Sequence, residues 1–129
     1  MARILLAEDN DLNRRLFRDI LTGAGYEVES VVDGAAALSA IDARMPDLVL
    51  LDLQLPVRSG HDVVRAIRRN PALQHMPVIA VSAFANRADM EKAKQNGFTD
   101  FIGKPAPVDD ILAIVATHLA PICLPRTAS

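Results

Sequence analysis

The stretch Leu48-Val49-Leu50-Leu51-Asp52-Leu53-Gln54-Leu55-Pro56 restricts the fold more than any other part of the chain. Four consecutive apolar residues read as a strand buried on both faces, and such strands belong in parallel sheets covered by helices. Pro56 halts the strand. In open parallel sheets the functional crevice lies beyond the carboxyl ends of the strands. A carboxylate, Asp52, stands at that end.

The rest of the chain repeats the theme. Ile4 to Ala7 is a first buried strand, followed by Glu8-Asp9-Asn10-Asp11. Asn10 or Asp11 can cap a helix over about 11–22. Leu12, Leu16 and Ile20, with Phe17 and Leu21, give that helix its apolar face, while Arg14, Arg15, Arg18 and Asp19 face water. Gly23 and Gly25 end it. Tyr26 to Val31 alternates apolar and polar residues, the pattern of a half-exposed strand near a sheet edge. Asp33-Gly34 reads as a turn before a helix over about 35–44, with Leu38 and Ile41 inward and Pro46 closing it. Ser59 can cap a helix carrying Val63, Val64 and Ile67, which ends at Asn70-Pro71. Pro77 to Val81 is a fourth strand with Ser82 at its end, and a polar helix over about 86–96 stops at Gly97. A short fifth strand lies within 98–102. A last helix over 108–119 turns Ile111, Leu112, Val115 and Leu119 inward. Five strands alternating with five helices over short connections call for right-handed βαβ units. The expected fold is α/β: a flavodoxin-like, doubly wound parallel sheet in the order 2-1-3-4-5, which puts the half-polar second strand at an edge.

A chain of 129 residues suits one core, expected here as a single domain over 1–120 with a short frayed tail over 121–129 and no output domain. No internal repeat or linker is visible. The net charge of -2 points to neither nucleic acid nor an anionic membrane as partner. No apolar run approaches the roughly 20 residues of a membrane span, and the first apolar piece is too short for a signal peptide, so a cytoplasmic location is expected. The single cysteine, Cys123, excludes an internal disulfide and reads as a small buried hydrophobe. His61, His75 and His118 are scattered without metal spacing and read as surface residues.

The chemistry-bearing residues follow the apolar strands. Glu8 and Asp9 come after the first, Asp52 after the third, Ser82 after the fourth and Lys104 after the fifth. The sheet order brings them to one rim, with the first and third strands flanking the switch point. Carboxylates in close pairs there repel by roughly a few kcal/mol at an effective dielectric near 20. The cluster needs a cation, and oxygen ligands without His or Cys select a hard one such as Mg²⁺. Lys104 adds positive charge and Ser82 a hydroxyl. This inventory suits phosphoryl transfer to a carboxylate, with metal and lysine offsetting charge on the phosphoryl oxygens.

These stretches resemble the receiver domain of two-component response regulators, which are CheY-like. The matching pieces are Ile4 to Asn10, Asp47 to Pro56 with Gly60, Val81-Ser82-Ala83, and Gly97-Phe98 through Lys104-Pro105. They cover nearly the whole chain in order and at family spacing. Glu8-Asp9-Asn10-Asp11-Leu12-Asn13 and Ser82-Ala83-Phe84-Ala85 are most similar to the stand-alone, DivK-type subfamily. The resemblance implies that Asp52 is the phosphoacceptor. It implies that Glu8, Asp9, Asp52 and the backbone carbonyl of Gln54 hold Mg²⁺, that Lys104 contacts the phosphoryl group, and that the Lys104–Pro105 bond is cis. Ser82 and Phe101 become the switch pair, and the face of the fourth helix, fifth strand and fifth helix changes its partners. The implied donor is a histidine kinase or histidine phosphotransferase, and the implied target a downstream regulatory protein or kinase in a phosphorelay. The chain would be no turnover enzyme, catalysing only its own aspartyl phosphorylation and dephosphorylation.

Other classes fit the residues less well. A receiver fragment of a hybrid histidine kinase would look similar, and an unphosphorylated receiver-like scaffold would tend to lose rim residues that this chain retains. A haloacid-dehalogenase-type phosphatase carries a second Asp where Gln54 stands. A flavin carrier needs a Ser/Thr/Gly-rich phosphate loop where Glu8 and Asp9 stand. Gln54 and Phe84 occupy the positions that vary in the family and flank the path of the hydrolytic water. Phe84 is bulky and apolar, so the phosphorylated protein is expected to lose its phosphoryl group more slowly than a Phe84→Ala variant. Equal decay rates of the two by intact mass would remove that role.

Overall fold

Five parallel strands form one sheet: β1 (Arg3–Ala7), β2 (Glu27–Val31), β3 (Leu48–Asp52), β4 (Val78–Ser82) and β5 (Asp100–Gly103). Their order is 2-1-3-4-5, as expected, with the half-polar β2 at an edge. Five helices alternate with them: α1 (Asp11–Gly23), α2 (Gly34–Ala43), α3 (Gly60–Arg69), α4 (Arg87–Asn96) and α5 (Val108–Leu119). The computed structural model describes residues 2–83 and 86–119. Phe84, Cys123 and the segment 121–129 therefore lie outside the described residues.

Every residue of β1, β3 and β4 is buried, which is why these strands read as unbroken apolar runs. Alternate side chains serve opposite faces. Ile4, Leu6, Leu48, Leu50, Ile79 and Val81 pack with Phe17 and Leu21 of α1 and Ile111 and Val115 of α5. Leu5, Ala7, Val49, Leu51, Val78 and Ala80 pack with Ala37 and Ile41 of α2, Val63, Val64 and Ile67 of α3, and Ala93 of α4. Helix starts are set by short polar side chains that accept backbone N–H groups. Asn10, rather than Asp11, caps α1 by accepting from the Asn13 N–H at 2.9 Å. Asp33 caps α2, Ser59 caps α3 and Asn86 caps α4 in the same way.

Two expectations need correction. Leu12 and Leu16 are 76% and 51% exposed, whereas Phe17 and Leu21 are buried. The helix carries two overlapping apolar stripes, and the larger aromatic stripe takes the sheet. His61 and His118 are half-buried rather than on the surface. His61 Nδ1 lies 2.9 Å from Asn96 Nδ2, and its ring meets Phe98 edge-on. His118 Nε2 lies 2.8 Å from Asp100 Oδ2. A short 3-10 turn, Pro71–Leu73, also follows α3, with Asn70 accepting from the Ala72 N–H.

The start of α3 lies directly against the end of β3. A Cβ on Gly60 would stand 2.4 Å from the Asp52 carbonyl oxygen and 2.8 Å from Leu53 Cα, both backbone atoms with no easy escape. The Gly60 N–H also donates to the Leu53 carbonyl at 3.0 Å. Gly60→Ala is expected to destabilise the protein by about 1–3 kcal/mol, as overpacking does. Urea unfolding measures the loss, and an unchanged midpoint would contradict this packing.

Candidate functional site

Strand register brings the rim together. Ala7 is level with Leu51, Asp52 with Val81, and Ser82 with Gly103. Glu8 follows Ala7 and Lys104 follows Gly103, so side chains from the ends of β1, β3 and β5 converge. Lys104 Nζ donates to Glu8 Oε1 at 2.8 Å and to Asp52 Oδ2 at 3.1 Å. The other oxygens are held by the chain itself. Asp52 Oδ1 accepts from the Gln54 N–H at 2.8 Å, and Glu8 Oε2 accepts from the Asn10 N–H at 3.2 Å. Glu8 and Asp52 are buried while Asp9 is exposed.

Glu8, Asp9 and Asp52 each present an oxygen within 4.8 Å of the others. They line an open cleft of about 490 Å³ together with Gln54, Ala83 and Lys104. Three carboxylate oxygens without nitrogen or sulfur ligands are the donor set of a hard divalent cation, so these residues fit Mg²⁺. Ser82 is buried at the end of β4, and its carbonyl accepts from the Lys104 N–H at 2.8 Å. The Lys104–Pro105 peptide is cis. Phe101 stands apart from this cleft. It is half-buried, packs against the core cluster shared by α2, α3 and α4, and lines a second groove beside α4.

One contributor was not singled out in the sequence. Arg14, read as a solvent-facing helix residue, donates from Nη1 to the carbonyls of Glu8 at 3.2 Å and Asp9 at 3.5 Å, and pairs with Asp11. It braces the acidic loop from the first turn of α1. Its place one helical turn after the Asn10 cap was the available signal.

Charge inside the cleft is shared unevenly. Burial, and then a hydrogen bond shared with Asp52, pushes the Glu8 carboxyl up to about 7 from 4.5, against the pull of Lys104. Burial draws the Lys104 ammonium down, but hydrogen bonds to Glu8 and Asp52 outweigh it and hold the group above its ordinary value.

The chain belongs to the response regulator receiver domain family, whose model matches residues 4–116. It is 39% identical to the polar-differentiation response regulator DivK of Brucella anthropi over 116 residues, 90% of this chain and 94% of that one. Among solved structures it is similar to the chemotaxis protein CheY4 of Vibrio cholerae, with TM-score 0.87, 27% identity and coverage of 92% and 99%. It is also similar to the receiver domain of a sensor histidine kinase from Pseudomonas aeruginosa PAO1, with TM-score 0.86, 32% identity and coverage of 92% and 98%. That receiver holds a magnesium ion in its active-site cleft. This chain is thus a receiver module of two-component signalling, DivK-like and CheY-like.

The raised Glu8 carboxyl makes stability depend on pH. An unfolded glutamate ionises near 4.5 and this one near 7. Between these values the folded protein keeps a proton that the unfolded chain has lost, so stability falls as pH rises through the window and stays low above it. Metal-free wild type is expected to lose about 1–3 kcal/mol between pH 5 and pH 8 relative to Glu8→Gln, and saturating Mg²⁺ to restore most of it. Parallel slopes for the two proteins in urea titrations would show that Glu8 carries no such shift.

Proposed function

We propose that the chain is a phosphorylation-controlled binding switch whose phosphoacceptor is Asp52. The observation that carries this reading is the Lys104 ammonium bridging Glu8 and Asp52 at the rim, next to an acidic cluster fit for Mg²⁺. An Asp52 carboxylate oxygen attacks the phosphorus of a phosphohistidine presented by a histidine kinase or histidine phosphotransferase. The P–N bond breaks, its electron pair stays on the imidazole nitrogen, and that nitrogen takes a proton from water. Glu8, Asp9, Asp52 and the Gln54 carbonyl would hold a magnesium ion, which would offset charge on the phosphoryl oxygens. Lys104 turns its ammonium from the carboxylates to the transferred group, and its tether to the Ser82 carbonyl keeps it in range.

The Ser82 hydroxyl then bonds a phosphoryl oxygen, and Phe101, half-buried in β5, moves inward behind it. The face built from α4, β5 and α5 changes shape and selects downstream regulatory proteins or kinases. The receiver unit is taken as residues 1–120, with 121–129 as a tail, in line with the family match over 4–116. The chemistry is the protein's own aspartyl phosphorylation and dephosphorylation, without substrate turnover. A cytoplasmic setting accords with the class. No helix among the described residues is long and apolar enough to cross a membrane.

Intact mass after incubation with acetyl phosphate and Mg²⁺ tests the reading. Wild type is expected to gain one phosphoryl group, Asp52→Asn none, and chelation of the metal to abolish the gain. Lys104→Ala should slow uptake by about 10²-fold or more, the scale of losing one electrostatic stabiliser. A gain in Asp52→Asn equal to wild type would remove Asp52 from the role.

A further inference from the structure

The α4 helix is held at one end. Of its ten residues only Ala93 is buried. Its last residue and the turn after it are tied to α3 instead. Arg68 Nε donates to the Gly97 carbonyl at 2.8 Å, and Arg68 Nη2 donates to Thr99 Oγ1 at 3.2 Å. Arg68 Nη1 donates to the carbonyls of Leu73 at 3.1 Å and Gln74 at 3.2 Å, which ties the 3-10 turn into the same clasp. The arginine stem lies on Gly97 so closely that a Cβ there would stand 2.6 Å from Arg68 Cγ. Gly97 has φ +112, so it ends α4 in a conformation that other residues adopt only with strain. Thr99 Oγ1 in turn accepts from the Val78 N–H at 3.0 Å, anchoring the clasp to β4. His61 adds a second tie, to Asn96.

Beside this clasped end lies a groove of about 520 Å³ between α4 and β5, with Met90, Lys94, Phe98, Asp100 and Phe101 in its walls. One wall is α4, so the position of α4 sets the width of the groove. We propose that Arg68 is a positioning residue: it fixes the C-terminal end of α4 to α3, so that phosphorylation moves α4 from its N-terminal end and opens or narrows the α4–β5 groove for partners. The inference rests on the partner face described above and names the residue that decides how that face moves. A planar guanidinium reaches four acceptors on two segments at once, which a lysine ammonium on a single stem does not.

Amide hydrogen exchange on the full chain tests this, comparing wild type, Arg68→Ala and Arg68→Lys. Ile41→Val serves as a core-destabilised control on α2, remote from the clasp. The amides of Gly97, Phe98 and Thr99 report directly, since they bond to the carbonyls of Lys94, Ala93 and Val78. Without phosphorylation, Arg68→Ala and Arg68→Lys are expected to speed exchange at these three amides by about tenfold or more while leaving β1 and β3 unchanged. After acetyl phosphate and Mg²⁺, wild type should change exchange over 87–92 and not at 97–99, and Arg68→Ala should spread the change through 97–99. A uniform acceleration matching Ile41→Val, or unchanged exchange at 97–99, would overturn the proposal. So would a wild-type phosphorylation response centred on 97–99. Intact mass reads phosphoryl uptake in the same samples, so failure of Asp52 as acceptor is seen separately and the unphosphorylated comparison still decides the role of Arg68.

Discussion

The ion pair of Lys104 with Glu8 and Asp52 is the interaction on which the site depends. It joins the ends of β1, β3 and β5 through one ammonium. If all are ionised, three carboxylates and one lysine leave a formal charge of -2, from three negative groups less one positive. One divalent cation, of equal and opposite charge, would neutralise it. A buried charge cluster is weak evidence for stability, since desolvation offsets much of the attraction. The raised Glu8 carboxyl shows that cost: burial first, and then Asp52 beside it, disfavours its charged form. The rest of the fold must supply the stability that the rim consumes.

That supply comes from the sheet. β1, β3 and β4 are buried along their whole length and covered by helices on both faces. Parallel register then fixes the rim without any long-range search by the loops, because each reactive residue directly follows or ends a strand. Gly60 tightens the arrangement from outside, letting the first turn of α3 rest on the backbone of Asp52 and Leu53. Val57 carries the opposite cost. Its φ of +70 places a β-branched residue in the left-handed region, in the connection between Asp52 and α3. Strain of this kind is concentrated near functional sites and is sustained by the packing around it.

Much of this was legible in the chain. Unbroken apolar runs identified the three central strands, and alternation in Tyr26 to Val31 identified an edge. The chemistry-bearing residues were legible because each stands immediately after a run. What was not legible involved choices between equivalent local options. The two apolar stripes of α1 satisfy the same helical period, and only the shape of the sheet decides that Phe17 and Leu21 go inward while Leu12 and Leu16 stay out. Arg68 looks like half of a solvated Arg68-Arg69 helix end, and its partners lie up to 31 residues away. His61 and His118 looked solitary because Asn96 and Asp100 approach them only in the fold.

α3 and α4, neighbours on one face of the sheet, are anchored by different physics. α3 buries Val63, Val64 and Ile67, and at about 1.5–3 kcal/mol for each large side chain removed from water, its position is fixed by several kcal/mol of burial. α4 buries one alanine, which contributes about 1 kcal/mol at most. Its place must come from end contacts: the Asn86 cap, the left-handed Gly97, and the side chains of Arg68 and His61. Hydrogen bonds at a helix end are directional and few, so exchanging one set for another costs little compared with dragging a buried stripe off a sheet. The polar composition of Asn86 to Asn96, which first reads as mere solvation, therefore has a mechanical meaning. It leaves one flank of a rigid parallel sheet able to respond when the charge at the end of the neighbouring strands changes.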